Sequence, residues 1–276
     1  MAETTGERAA AGSRTAAEEW HRRRTAWLTA PHGPLSATGV HWLDDFPEGR
    51  LPAIPGRWTA DEDRALVTAA PADGLAVDGR PLDGTARLDA DQGAPGKARA
   101  GQGGRRFAVL RREGLWAVRA HDPDAGRRRA APRIALWPDD PAARSTGTFT
   151  PYPDTGTARV ENADGHHRGL GLGGELALTL GGEAVTLQVT VEAGGGLWAV
   201  FADATGAGPD AAAEGGHRFR FLRTAAPAAD GSVAVDLNRA ELPPCAFSPY
   251  FLCPFPPPGN ALAAPVRAGE RNLAAA

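Results

Sequence analysis

The sequence predicts a mainly β protein: an antiparallel β-meander, closed as a barrel or stacked as a sandwich, with an N-terminal helix and a smaller N-terminal β subdomain. Three observations carry this. Apolar residues alternate with polar ones at a period of two in five segments between Leu176 and Asn238. Gly-rich turns such as Gly181-Gly182 and Gly194-Gly195-Gly196 separate them. No alternation of strand and helix patterns, which would build a parallel sheet, occurs along the chain.

Residues 1–14 read as a disordered tail, polar and Ala-rich. Thr15-Ala16-Ala17-Glu18 fits a capping box, in which hydroxyl and carboxylate satisfy the first free backbone amides of a helix over 15–30. That helix puts Trp20, Trp27 and Leu28 on one face, with Arg22, Arg23 and Arg24 around the rest. Pro31 and Pro34 end it. An N-terminal β subdomain follows over 31–130. It has short strands near 65–68 and 75–77, and a tight turn at Asp78-Gly79, where positive φ is inexpensive. A mobile loop is expected over 89–104. The segments 107–111 and 115–119 form a hairpin across Arg112-Glu113-Gly114, and Asp122–Gly126 turns the chain again.

The C-terminal domain spans 131–276 and holds the meander. Leu176, Leu178 and Leu180 open it, then Val185, Leu187, Val189 and Val191, then 197–201. Phe219 and Phe221 alternate with Arg218 and Arg220, and Val233, Val235 and Leu237 with Ala234, Asp236 and Asn238. This pattern predicts one buried face. A tail rich in proline, cysteine and aromatics closes the chain.

Composition bounds the function. The 276 residues are 42% apolar and 23% charged, ordinary for a soluble globular protein. A formal charge of −3 argues against nucleic-acid binding, and the clusters Arg105-Arg106, Arg111-Arg112 and Arg127–Arg129 read as solvated or ion-paired surface. There is no signal-peptide run and no apolar stretch of transmembrane length, so the expected location is cytoplasmic, with reduced thiols and no membrane partner.

No nucleophile elbow, phosphate-binding loop or His-Glu-x-x-His zinc pair occurs. Gly169–Gly174 has the spacing of a dinucleotide fingerprint but follows polar residues and precedes a strand, so it reads as a turn. Cys245 and Cys253 leave three readings open. They form a disulfide, worth about 2.6 kcal/mol on the chain-entropy model. They bind a metal with distant histidines among His32, His41, His121, His166, His167 and His217, or they stay reduced, packed or reactive. Two cysteines alone do not define a zinc site, so no metal is assigned, and no cofactor follows from the residues. Asp203 and Thr205 build a turn or a site, and Arg220 with Asp236 reads as a cross-strand ion pair. His121 reads as a surface residue in a turn, and His41 beside Trp42 as the border of a pocket.

The functional expectation is a small-ligand-binding protein with its site between meander and tail. Its candidate contacts are His41, Arg119, Asp203, Arg220, Asn238, Arg239, Cys245 and Cys253. The alternatives are an enzyme of unassigned class using Cys245 or Cys253 as a reactive or redox thiol, oriented by His41 or Asp203, and an interaction module docking through its tail. A small molecule is the expected partner.

Leu242-Pro243-Pro244-Cys245-Ala246-Phe247, Cys253-Pro254-Phe255-Pro256-Pro257-Pro258-Gly259-Asn260 and Ala268-Gly269-Glu270-Arg271 resemble the signature tail of the DUF1684 family, a bacterial and archaeal group. The likeness extends to Gly39-Val40-His41-Trp42-Leu43, Arg119, Asp122-Pro123, Asn162-Ala163-Asp164-Gly165 and Phe201-Ala202-Asp203-Ala204-Thr205-Gly206. Members have a tyrosine-containing stretch before the Arg-Phe-Leu strand; here 207–216 replaces it without a tyrosine. The resemblance implies which residues belong together and assigns them no reaction.

Overall fold

The structure, a computed structural model, describes residues 5–275, with side chains from residue 16 on. Of the tail expected over 1–14, residues 1–4 lie outside the described residues, as does the Thr15 side chain of the expected cap; residues 5–14 belong to the helix, which begins ten residues before its expected start. The helix, α1, spans Thr5–Thr29. Contacts divide the chain into two compact units: Thr25–Pro132, and Arg133–Ala275 together with the chain up to Arg24.

The N-terminal unit is two antiparallel sheets. Its strands are β1 (Ala37–Trp42), β2 (Arg57–Ala60), β3 (Ala65–Ala69), β4 (Ala76–Val77), β5 (Arg80–Pro81), β6 (Gly84–Leu88), β7 (Ala100–Gln102), β8 (Arg105–Arg112) and β9 (Leu115–His121). One sheet has the order β1-β9-β8-β7-β4-β5 and the other β2-β3-β6. Trp58, Val67, Leu75, Leu88, Phe107, Val109 and Val118 form the core of the unit. Two turns follow from local chemistry. Asp78 and Gly79 both take positive φ (52° and 77°) between β4 and β5, and Glu113 and Gly114 do so (48° and 85°) between β8 and β9. The loop expected over 89–104 holds a 3₁₀ turn at Pro95–Lys97 and β7.

The C-terminal unit is mainly antiparallel β. It contains β10 (Arg133–Leu136), β11 (Arg144–Glu161), β12 (His167–Leu180), β13 (Glu183–Val191), β14 (Leu197–Phe201), β15 (Arg220–Arg223), β16 (Ser232–Asp236) and β17 (Glu270–Ala274). β12 to β15 follow one another as a meander, and Gly169–Gly174 lies inside β12 rather than in a turn. β16 does not neighbour β15; it crosses to the far edge and pairs with β11, giving the order β15-β14-β13-β12-β11-β16. Just beyond β16, Glu241 exchanges both backbone hydrogen bonds with Phe221 of β15 (2.7 and 2.8 Å), so the curled sheet returns toward its own edge. That half-barrel encloses Leu176, Leu187, Val189, Leu197, Phe201, Leu222, Val233 and Val235.

The expectation of a single buried face fails at β14 and β15. Ala199, Phe201 and Leu222 point into the half-barrel. Val200, Phe219 and Phe221 lie under the tail residues Cys245, Phe251, Cys253 and Phe255. The reason is burial on both sides: the tail covers what would otherwise be the wet face. Arg220 alternates with these phenylalanines and is therefore driven inside, where it is fully buried. Arg24 likewise turns inward onto Glu270 instead of joining the solvated face of α1 (2.6 and 2.8 Å).

Candidate functional site

Asp203 ends the loop after β14 and caps a one-turn helix, α2 (Ala204–Ala207). Its Oδ1 accepts from the Thr205 amide (3.0 Å), the Thr205 hydroxyl (2.6 Å) and the Val266 amide (3.1 Å). Its Oδ2 takes Nη2 of Arg220 at 2.7 Å. Arg220 also donates to the carbonyls of Val266 (2.7 Å), Ala268 (2.5 Å) and Glu270 (3.3 Å). Burial pushes the Asp203 carboxyl up, but the Arg220 charge and the bonds from Thr205, Arg220 and Val266 outweigh it and hold the carboxyl below its ordinary value. A buried guanidinium that bonds three consecutive stretches of backbone is a fastener. It ties the strap 266–270 to the meander, and it does not pair with Asp236 as the sequence reading had it.

Asn238 and Asn260 work the same way. Asn238 Oδ1 accepts from the Asp140 amide (2.8 Å), and its Nδ2 donates to the Asp140 carbonyl and to Asp236 (2.9 Å each). Asn260, fully buried, accepts from the Gln188 amide (2.8 Å) and donates to the carbonyls of Gln188 and Val200 (2.9 Å each). Arg239 is half-exposed and pairs with Asp236 at 3.4 Å. Gly269 takes φ +77°, and a Cβ there would meet the Ala240 carbonyl at 2.7 Å, so the strap runs against that backbone only because it has no side chain.

The two cysteines meet. The Cys245 amide donates to Cys253 Sγ at 3.3 Å, and the Cys253 thiol hydrogen-bonds the Cys245 sulfur. Cys245 is half-buried and Cys253 buried, and neither is in a disulfide. His217, near enough to the Cys245 sulfur to act on its pKa, has a buried Nε2 with no hydrogen-bond partner. Arg218 lies beside it, its guanidinium stacked over Phe255 at 4.3 Å. The bond from Cys253 draws the Cys245 thiol down, burial draws it up, and His217 and Arg218 draw it down further, to about 6 from an ordinary 9.0. Gly206 supports this arrangement from behind: a Cβ there would lie 1.9 Å from the His217 carbonyl. Ser248 is also buried, and its hydroxyl has no protein partner.

The remaining predicted residues belong to the N-terminal unit. His41 on β1 stands edge-on to Phe46 at 5.6 Å, and burial lowers its pKa. Arg119 on β9 sits opposite Val40 in the β1–β9 register. His121 is no surface residue: it is fully buried, with Nδ1 2.9 Å from the Ser36 hydroxyl. The strand continues two residues past its expected end at Arg119 and carries His121 inside.

Sequence reasoning counted His217 only among distant metal candidates and gave Asn260 and Glu270 no role. The one signal for His217 was its position just before the Arg-Phe-Arg-Phe-Leu strand. Among the described residues, no group of three or more His, Cys, Asp or Glu is arranged to hold a metal ion. No helix among them is long and apolar enough to cross a membrane. A separate cleft of about 350 Å³ opens between the end of β14 with α2 and the tail, lined by Ala202, Asp203, Ala207, Pro209, Ala261 and Leu262.

A family model described as a protein of unknown function, DUF1684, matches residues 131–271. The upstream motifs at 39–43 and 119–123 lie outside that match. No curated protein matches the chain. It is similar to the solution NMR structure of an uncharacterized protein of Haloarcula marismortui, at 26% identity over 50% of this chain and 76% of that one, with a TM-score of 0.41.

Proposed function

The chain belongs to the DUF1684 family, and we propose that it acts as a redox-active dithiol, with Cys245 the attacking thiolate and Cys253 its resolving partner. One observation carries the reading: the tail brings the Cys245 amide onto Cys253 Sγ, beside His217, whose buried Nε2 has no hydrogen-bond partner. Positive charge at His217 and Arg218 favours the thiolate of Cys245, which is the nucleophilic form. The more exposed sulfur is the activated one, as attack on a soluble partner requires.

The chemistry balances with a small disulfide as oxidant. Cys245 thiolate attacks one of its sulfurs, forming a mixed disulfide and releasing the other half as thiolate. Cys253 loses its proton and attacks Cys245 Sγ, expelling the second half, which takes up the proton. Two electrons pass from the protein thiols to the small disulfide, and a Cys245–Cys253 bond remains.

Alkylation of the native protein by iodoacetamide, read by mass spectrometry across pH, tests this. Cys245 should react with a midpoint near pH 6, and His217→Asn should move that midpoint upward. Glutathione disulfide should yield the internal disulfide, and a stable mixed disulfide in Cys253→Ser. If both cysteines of the native protein stay unmodified by iodoacetamide and by glutathione disulfide, the proposal fails.

The cleft beside α2 favours a second reading, a small apolar ligand held between meander and tail. In it Asp203 supplies the floor and Arg220 holds Asp203, while Cys245 lies in a different cluster of side chains. Saturable binding of an apolar dye such as anilinonaphthalene sulfonate, abolished by Ala263→Trp, would support it; equal binding by the variant would exclude that cleft.

A further inference from the structure

Independently of the thiol pair, we propose that the N-terminal unit carries an anion site for a small phosphate- or diphosphate-bearing molecule, in the cleft between the β4–β5 turn, the 3₁₀ turn Pro95–Lys97 and the start of β8. The cleft holds about 420 Å³, within the range of small-molecule pockets. Lys97, Arg99 and Arg106 line it, and Asp78 is its one carboxylate. Arg99 already neutralises Asp78 through two hydrogen bonds (2.9 and 2.7 Å). Among the described residues, no carboxylate pairs with Lys97 or Arg106. Two cations therefore stand without a counter-charge in a protein whose net charge is −3.

Two of the three cations, Arg106 and Arg99, are held in position. Arg106 donates to the carbonyls of Gly103 (3.1 Å) and Arg105 (2.9 Å), which hold its guanidinium along the wall instead of leaving it to sweep through solvent. Arg99 is fixed by Asp78, and its own charge then counts only toward direct contacts. The walls between them are glycine: Gly79, Gly96, Gly101 and Gly103. At Gly79 and Gly103 nothing lies within 4 Å of where a Cβ would stand, so an anion can approach the backbone there. Two fixed guanidinium groups and the Lys97 ammonium around a compact hollow suit a phosphate group; a nucleic acid would need a longer basic track.

Isothermal titration of the full chain with inorganic pyrophosphate tests this, in wild type, Lys97→Gln, Arg106→Gln and Arg112→Gln, the last at the far end of β8. Saturable binding that weakens with salt, falls at least about tenfold in the Lys97 and Arg106 variants and is unchanged in Arg112→Gln supports the site. Sedimentation with phosphatidylcholine vesicles containing phosphatidic acid separates the sources: binding to vesicles without binding to pyrophosphate overturns the small-molecule site. So does no saturable heat, or an equal loss in Arg112→Gln. Lys97 is exposed and makes no hydrogen bond through its side chain, so its variant leaves the fold as a reference if Arg106→Gln unfolds. Failure here leaves the thiol reading untouched, because Cys245 and Cys253 belong to the other unit.

Discussion

Acidification should destabilise the N-terminal unit through His121. Burial disfavours its charged form first, and the charges of Arg119 and His32 add to that, outweighing the backbone bond at Gly33; its pKa falls from 6.5 to about 3. A group whose folded pKa is depressed binds fewer protons folded than unfolded. Its contribution is therefore complete above pH 6.5 and is lost as pH falls toward 3. The loss is about 1.4 kcal/mol per pH unit in that window, or about 2 kcal/mol by pH 5 and at most about 5 kcal/mol below pH 3. Urea unfolding measures it, followed by the fluorescence of Trp58 and Trp116, both buried in the same unit. His121→Gln also disturbs the Ser36 contact, but that offset does not vary with pH. The readout is the slope: wild type should lose stability faster than His121→Gln from neutral pH to pH 5. Parallel slopes would mean that His121 takes up its proton in the folded state at no penalty, and the reasoning would be refuted.

Other outcomes follow from the fasteners. Arg220→Leu leaves the Asp203 carboxylate buried and unpaired, so it should cost about 3–5 kcal/mol in thermal unfolding, and adding Asp203→Asn should recover part of that. Asn260→Ala strips partners from three buried backbone groups and should cost about 2–4 kcal/mol in urea; a loss under about 1 kcal/mol would mean that water replaces it. Gly269→Ala and Gly79→Ala share φ +77°, yet only Gly269 faces backbone at 2.7 Å. The first should therefore lose well over about 2 kcal/mol and the second about 1 kcal/mol, and similar losses would show that conformation alone sets the cost.

The hairpins were legible because their causes are local. Asp78-Gly79 and Glu113-Gly114 carry the left-handed conformations that their turns need, and the flanking alternation is short-range. The neighbour of β16 was not legible, because alternation defines a strand's two faces and says nothing about which edge it joins. Arg220 shows the deeper limit. An Arg between two Phe residues reads as the wet side of a strand, and only a tail over twenty residues later in sequence makes the Phe side the covered one. Charge then enters the core, where Asp203 and three carbonyls receive it. His121 was misread for a simpler reason: the strand outran its predicted end.

The signature segments divide by what their polar atoms are doing. Asp203, Arg220, Asn260 and Glu270 spend theirs largely on backbone; Glu270, for one, accepts from the Leu242 amide (2.6 Å) as well as from Arg24. Such residues explain why a proline-rich tail, unable to add a full strand, can still be held in one place. Cys245 and His217 are different. The fold sets the Cys245 amide on Cys253 Sγ and leaves the buried Nε2 of His217 without a hydrogen-bond partner beside them, although packing alone would be served by an apolar side chain at either position. Fasteners on both sides of the segment, at Glu270 with Leu242 and at Asn260, hold the stretch that carries both sulfurs. On the proposed dithiol reading, the strap sets the geometry that the thiols need.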